Sequence, residues 1–394
     1  MPQLPMQREI DRGLASSGPA LEVREVRSRR ELDEYIDLPW RIYAHDPCWV
    51  PPLREEVKEF LDPRRHPFYL HGAATKFMVR RAGQVVGRIL VSDDPHYNAQ
   101  HGTNTGCFGM FESIDDPTVA HTLLDAAANW LRARGRTSML GPIDYSVNYP
   151  CGLLVDGFQT PPRFMMNHHP PYYGCLLNSW GLTKVKDLYA WWFGDSPSFD
   201  QWRVRTERLG RRSRALVRPF RLDDFEADLQ RCLHVYNNMR TGGWGFVRLT
   251  NAEFRYFAKR IARIAAPEQV LLAEVDGQTV GFSVTLPDLN EAVAPLNGRL
   301  TRFGLPIGLL RLVWRMRRVK TARMLVLGVL EGYRRRAIAE TLILRTFNFG
   351  RNVLGYQCAE LGWTLEDNAP VNLTIEAVGG QRYKTYRIFE RTIA

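Results

Sequence analysis

After a tail mixing proline, glycine, serine and charges, the chain takes up an alternating pattern. Residues 21–27 read Leu-Glu-Val-Arg-Glu-Val-Arg, the period of a half-buried strand. Helical sequence and proline-rich loops follow over 29–67. From 77 to 91, two alternating runs flank Ala82-Gly83-Gln84, which predicts a hairpin. That pattern returns. Ala82-Gly83-Gln84-Val85-Val86-Gly87 lines up with Asp276-Gly277-Gln278-Thr279-Val280-Gly281, inside a second predicted hairpin over 269–286. Ala120-His121-Thr122-Leu123-Leu124 parallels Ala339-Glu340-Thr341-Leu342-Ile343. Gly181 and Gly379 each end a helical segment and precede an alternating strand, over 184–189 and 383–389. Three blocks in the same order predict one α/β unit present twice, over 21–197 and 198–394, behind a flexible tail over 1–20. The second copy carries about 25 extra residues, which fall near 291–320.

Between the central blocks the second copy holds its most informative stretch. Residues 324–330 are almost wholly apolar and read as a buried strand, and from Ala339 the helical period sets in. The turn between them is Glu331-Gly332-Tyr333-Arg334-Arg335-Arg336-Ala337-Ile338. A strand that feeds a helix through a basic, small-residue turn gathers unpaired N–H groups and the positive end of the helix at one place. A phosphate satisfies both. The first copy has Ile114-Asp115-Asp116-Pro117-Thr118-Val119 there, which is acidic and has a proline where a donor N–H is wanted. Such a turn repels phosphate, so the first copy is read as one that has lost its site. What remains for it is to pack against, or shape the acceptor side of, the active half.

Composition narrows the partners without choosing among them. The 394 residues are 45% apolar and 24% charged, an ordinary globular balance, and the formal charge of +11 favours an anionic partner. Six scattered cysteines form no Cys-x-x-Cys pair, which argues against a zinc knuckle or a redox couple. His168-His169 has no third ligand at metal spacing, and no metal is expected. The N-terminus lacks a continuous apolar segment and no later stretch is apolar enough to span a bilayer, so a cytoplasmic protein is expected.

The order Arg334-Arg335-Arg336-Ala337-Ile338-Ala339 resembles the acyl-CoA-binding motif of the GNAT superfamily of N-acyltransferases, Gln/Arg-x-x-Gly-x-Gly/Ala. Arg334 and Ala339 match, and Ala337 stands where the first glycine is usual. The words Trp363-Thr364-Leu365-Glu366-Asp367-Asn368 and Gly379-Gly380-Gln381-Arg382-Tyr383-Lys384-Thr385-Tyr386-Arg387 resemble a set of two-copy bacterial GNAT-like proteins, a likeness covering nearly the whole chain. The resemblance implies an α/β (α+β) fold of two tandem mixed-sheet domains, the N-terminal one degenerate. It implies acetyl-CoA or a longer acyl-CoA as co-substrate, with the thioester between two splayed strands. Main-chain N–H groups near Gly328, Val329 and Leu330 would then pair with pantetheine and polarise the thioester carbonyl. Asn368 matches an asparagine that contacts the pantetheine arm, and the break over 241–246 falls where the acceptor enters, with Asn237 and Trp244 as its candidates.

Acyl transfer also needs a deprotonated amine and a proton for the leaving thiolate. Glu331, Glu360 and Glu366, on or beside the two central strands, are candidate bases. Many family members supply the proton from a tyrosine in the last helix. Here Thr374-Ile375-Glu376-Ala377-Val378-Gly379-Gly380 puts Ile375 in its place, which leaves Tyr333, Tyr383, Tyr386 or solvent. In the extra segment no Asp or Glu occurs from Ala292 to Leu330, while Leu309, Leu312, Val313 and Met316 share one helical face and Arg311, Arg315 and Arg318 the other. That basic amphipathic helix can touch a membrane peripherally, cover an acyl chain, or pack as a surface helix. The function expected is acyl-CoA N-acyltransfer to a small-molecule or amino-acid-like amine, with no DNA partner. The alternatives are a non-catalytic acyl-CoA-binding protein and a Fem-like, tRNA-dependent aminoacyl ligase.

Overall fold

In a computed structural model the described residues are 20–194, 196–210, 215–239, 243–301 and 304–394, so the expected tail over 1–20 lies, apart from Ala20, outside them. The first half contributes β1 (Leu21–Glu25), β2 (Ala73–Arg81), β3 (Gln84–Asp93), β4 (Thr105–Ser113), β5 (Ser138–Gly141), β6 (Leu153–Asp156) and β7 (Thr183–Phe193). The second contributes β8 (Leu216–Pro219), β9 (Val270–Val275), β10 (Gln278–Pro287), β11 (Thr321–Val329), β12 (Cys358–Leu365) and β13 (Gln381–Thr392). They form one mixed sheet in the order β1-β2-β3-β4-β5-β13-β7-β12-β11-β10-β9-β8, with β6 beside β13.

The repeat is visible element by element. Both hairpins turn through two residues of positive φ, Ala82 and Gly83 in one and Asp276 and Gly277 in the other, the geometry whose twist matches two antiparallel strands. In each half one parallel pair follows, β4 with β5 and β11 with β12, joined by a helix: Pro117–Arg132 and Ile338–Asn352. Those helices bury their apolar stripes on the sheet, through Leu123, Leu124 and Leu131 in the first and Ile338 and Leu342 in the second.

The last strands of the two copies are exchanged. β7, made by the first half, pairs with β12, whereas β13, made by the second, lies between β5 and β7. The Arg387 guanidinium grips the Asp187 carboxylate across the β13–β7 seam at 2.8 and 3.0 Å.

The extra segment forms the helices Leu289–Val293 and Ile307–Met316. Its root clamps the first half. Trp40 Nε1 donates to Asn297 Oδ1 at 2.7 Å, and the Arg54 amide donates to the Gly298 carbonyl at 3.2 Å. The inward face of the second helix differs from the one the periodicity suggests. Leu312 packs beside Leu53, Val293 and Leu296, and Gly308 is buried, but Leu309 and Val313 point to solvent. The close approach of Gly308 to the backbone of Arg299 and Leu300 sets this rotation, because a Cβ there would overlap both.

Candidate active site

β11 and β12 are paired only from Thr321 opposite Cys358 to Met324 opposite Leu361, and beyond that rung they diverge. At the rung below the fork, Arg323 faces Glu360 across the strands, and the two form a buried ion pair. The Tyr383 hydroxyl donates to Glu360 Oε1 at 3.4 Å. Burial raises the proton affinity of Glu360, with Arg323 opposing, and burial also pushes the Tyr383 phenol upward. Neither Glu360 nor Tyr383 lines the cavity described below. Expected as proton-transfer groups, both are instead engaged at the base of the fork, Glu360 with Arg323 and Tyr383 with Glu360. Removing one partner of such a buried pair costs about 3–5 kcal/mol.

Above the base, the phase of β11 decides which amides face the gap. The Leu330 amide donates to the Val280 carbonyl at 2.8 Å. Antiparallel pairing alternates, so Gly328 and Val326 turn their N–H groups the same way, toward β10, and Val329 and Leu327 turn theirs into the fork. Val329 is therefore an available donor among those expected, while Leu330 and Gly328 are spent on the sheet. Leu327 is one that sequence reasoning missed, since only the register reveals it.

At the top of β11 the chain makes one 3₁₀ turn, Glu331–Tyr333, and enters the helix Ile338–Asn352 through Ala337, whose φ of 56° is left-handed. Among the described residues no side chain caps that helix. The left-handed residue explains why a glycine suits this position. Arg334, Arg335 and Arg336 are exposed, but they differ in employment. Arg334 donates to the Met239 carbonyl, which ties the turn to the end of the helix Phe225–Asn238. Arg336 lies 4.9 Å from the centre of the Tyr333 ring. Glu331 is exposed and does not line the cavity, so the structure does not bring it to the fork.

A cavity of about 1110 Å³ runs from the fork under the helices Phe225–Asn238 and Asn251–Ile261. Arg334, Ala339, Gly328 and Val329 line it at one end and Phe220, Phe254, Phe257 and Ile261 at the other, with mostly apolar wall between. Trp244, Asn368 and Ile375 line it, and Ile375 leaves no hydroxyl at its place. Two expected residues are elsewhere. The Asn237 amide is used on both sides by Leu249, donating to its carbonyl at 3.0 Å and accepting its N–H at 2.9 Å. Glu366 accepts from Lys184 at 2.7 Å and from the Asp187 amide at 3.0 Å. Both serve as staples of the fold, Asn237 where an acceptor contact was expected and Glu366 where a base was. The first half supplies part of the wall through Val147, Asn148 and Tyr149, and Asn148 accepts from the Tyr236 hydroxyl at 2.6 Å.

The histidines considered for metal are structural. His168 Nε2 lies 2.7 Å from Asp46, and His169 Nδ1 accepts from the Leu154 amide at 3.1 Å. Elsewhere His71, Asp94 and His96 place one potential ligand atom each within 4.8 Å, with Asp94 capping the helix Pro95–His101 through the His96 amide.

Comparison with known proteins places this geometry. No family model matches the chain. It is 36% identical over 387 residues to the bacterial ceramide synthase of Caulobacter vibrioides, covering 96% of this chain and 99% of that one. It is 32% identical over 376 residues to the protein YghO of Escherichia coli, covering 94% and 95%. A tandem GNAT protein from the clavulanic acid biosynthesis pathway superposes with a TM-score of 0.58 at 13% identity, over 95% of this chain and 99% of that one. A GCN5-related N-acetyltransferase from Sphaerobacter thermophilus superposes at 0.51 over 95% and 96%, also at 13% identity. Among the described residues no helix is long and apolar enough to cross a membrane. Its duplicated unit and forked central strands give it the tandem GNAT fold, and with relatives matched over nearly their full length the chain belongs to the family of the bacterial ceramide synthase and YghO.

Proposed function

We propose that this enzyme transfers a long acyl group from its CoA thioester to the primary amine of a long-chain amino alcohol, making an N-acyl amide of the ceramide type. The observation that carries this reading is the cavity. At about 1110 Å³ it exceeds the roughly 300–1,000 Å³ of sites for drug-sized ligands, and its far end is walled by aromatic and aliphatic side chains. An acetyl group and a small amine leave that wall without an occupant. The ceramide synthase relative supports the same acceptor class.

On this reading the CoA pyrophosphate lies on the uncapped end of the helix Ile338–Asn352. Ala337, Ile338 and Ala339 offer main-chain N–H groups, and Arg335 and Arg336 offer charge. Arg334 positions Met239 rather than reaching a phosphate. The pantetheine arm runs into the fork, near Asn368 and the amides of Val329 and Leu327. One of those amides donates to the thioester carbonyl as it becomes an oxyanion. The amine nitrogen attacks that carbon from the side of Trp244, the C–N bond forms, and the C–S bond breaks as the tetrahedral intermediate collapses. The nitrogen gives its proton to water. The leaving thiolate, whose conjugate acid titrates near pKa ~8.5, takes one from solvent, so Ile375 does not stop turnover. An anionic membrane is the natural reservoir for two such amphiphiles.

The test is direct. The purified chain is given palmitoyl-CoA with sphinganine, and separately acetyl-CoA with lysine or glucosamine, and products are read by mass spectrometry. N-palmitoyl sphinganine with release of CoA is the expected outcome. Exclusive use of the short substrates, or binding of palmitoyl-CoA without turnover, overturns the proposal.

A further inference from the structure

The helix Ile307–Met316 is seated by one narrow stripe, through Gly308 and Leu312, and turns an apolar stripe outward. Leu309, Leu310, Val313 and Trp314 follow one another at i, i+1, i+4 and i+5, and so share one face. Leu310 is 68% exposed, Val313 54% and Trp314 52%, and Leu305 extends the stripe at 58%. Globular surfaces tolerate single exposed apolar residues, but a continuous stripe of four on one helix, extended by Leu305 just before it, marks a contact surface.

Charge around the stripe indicates what it contacts. Arg299, Arg311, Arg317, Arg318 and Lys320 are exposed, and Arg318 stacks on the Trp314 ring at 3.5 Å. None of these five side chains forms an ion pair among the described residues, and the sequence holds no carboxylate from Ala292 to Leu330. Apolar side chains led by a tryptophan, rimmed by cations with no counter-charge, fit the headgroup region of an anionic bilayer. There tryptophan sits at the interface, and each cation near the surface strengthens binding several-fold. The root of the segment is fixed to the first half at Asn297 and Gly298, and the helix packs back on it through Gly308 against Arg299 and Leu300.

We propose that the outward face of the helix Ile307–Met316 docks the enzyme on an anionic lipid surface, through Leu305, Leu309, Leu310, Val313 and Trp314 with the surrounding arginines. The surface itself carries this inference, and it does not rest on the acyl-transfer reading. Vesicle binding is therefore measured without substrate.

Full-length protein is sedimented with phosphatidylglycerol–phosphatidylcholine vesicles and with phosphatidylcholine vesicles at physiological ionic strength. Binding to the anionic vesicles at least tenfold tighter than to the neutral ones is expected. A further loss of at least tenfold is expected in the L310E/W314E variant, with unchanged thermal unfolding. Should that variant fail to fold, R311E/R317E reads the same surface through its charge. No binding by the wild type, or equal binding by a folded variant, overturns the proposal. So does a wild-type dimer that L310E/W314E dissolves while vesicle binding persists, because the face then belongs to a second copy of the chain.

Discussion

In the first half β4 and β5 part after Cys107 and Leu140, as β11 and β12 part after Met324 and Leu361, yet what lies between the strands is opposite. The first fork is filled by its own chain. The Ile143 amide donates to the Phe108 carbonyl at 2.6 Å, and Asp144 Oδ1 accepts from the Met110 amide at 2.8 Å. A Cβ on Gly109 would overlap both Ile143 and Asp144, so the plug sits directly against the strand. Its helix end is closed too. Asp116 caps the helix Pro117–Arg132 by accepting from the Thr118 amide at 2.8 Å, and it pairs with Arg81. In the second half the fork is open, the helix is uncapped and the cations are exposed. The pair teaches that the fold supplies a gap and a helix end every time. Whether they become a ligand site depends on a few side chains that either use up the donors or leave them free.

The sharpest way to break this comparison is to transplant one device. In A337D a carboxylate stands where the second helix begins, as Asp116 stands at the first, and aspartate tolerates a left-handed φ better than most residues. CoA affinity, measured by calorimetry, should fall about 100-fold with folding intact. Unchanged affinity would show that the anion is held elsewhere.

Next in size is the plug. Burial raises the Asp144 carboxyl to about 7, against the lowering pull of the Met110 amide. In the unfolded chain the group titrates near pKa ~3.9, so the native state holds the proton more tightly. Its contribution to stability is complete below about pH 4 and is lost as pH rises through about 7. D144N keeps an acceptor for Met110 and removes the titration. The variant should gain on the wild type by roughly 2–4 kcal/mol between pH 4 and pH 8, read from urea unfolding at both. A difference independent of pH would mean that the buried carboxyl is not what closes the first fork.

The smallest effect sharpens the contrast in charge. R335E/R336E should weaken CoA binding about tenfold, whereas R134E, an exposed arginine at the end of the first half's helix, should leave it unchanged. Equal losses would dissolve the division of labour between the halves.

Much of this was legible in the residues because turns and apolar runs act locally. The two hairpins announce themselves through Ala82-Gly83 and Asp276-Gly277, and the second central strand, its basic turn and the following helix come where the pattern puts them. What escaped was relational. Whether the amide of Leu330 or of Val329 faces the gap depends on pairing with β10, and the pattern of one strand cannot set that phase. Glu360 looks like a base until Arg323 is found opposite it, and Asn237 like a substrate contact until Leu249 uses both sides of its amide. The helix Ile307–Met316 turned the other way because Gly308 and Leu312, not the larger apolar set, were the contacts on offer.

The exchange of β7 and β13 has a consequence for biogenesis. While the ribosome is still working through the second half, β5 and β7 are already made, but the strand that belongs between them is not. The growing chain therefore carries exposed strand edges until β13, Gln381–Thr392, emerges and slots in to lock both halves in one event. Each half thus completes its sheet with a strand that the other supplies.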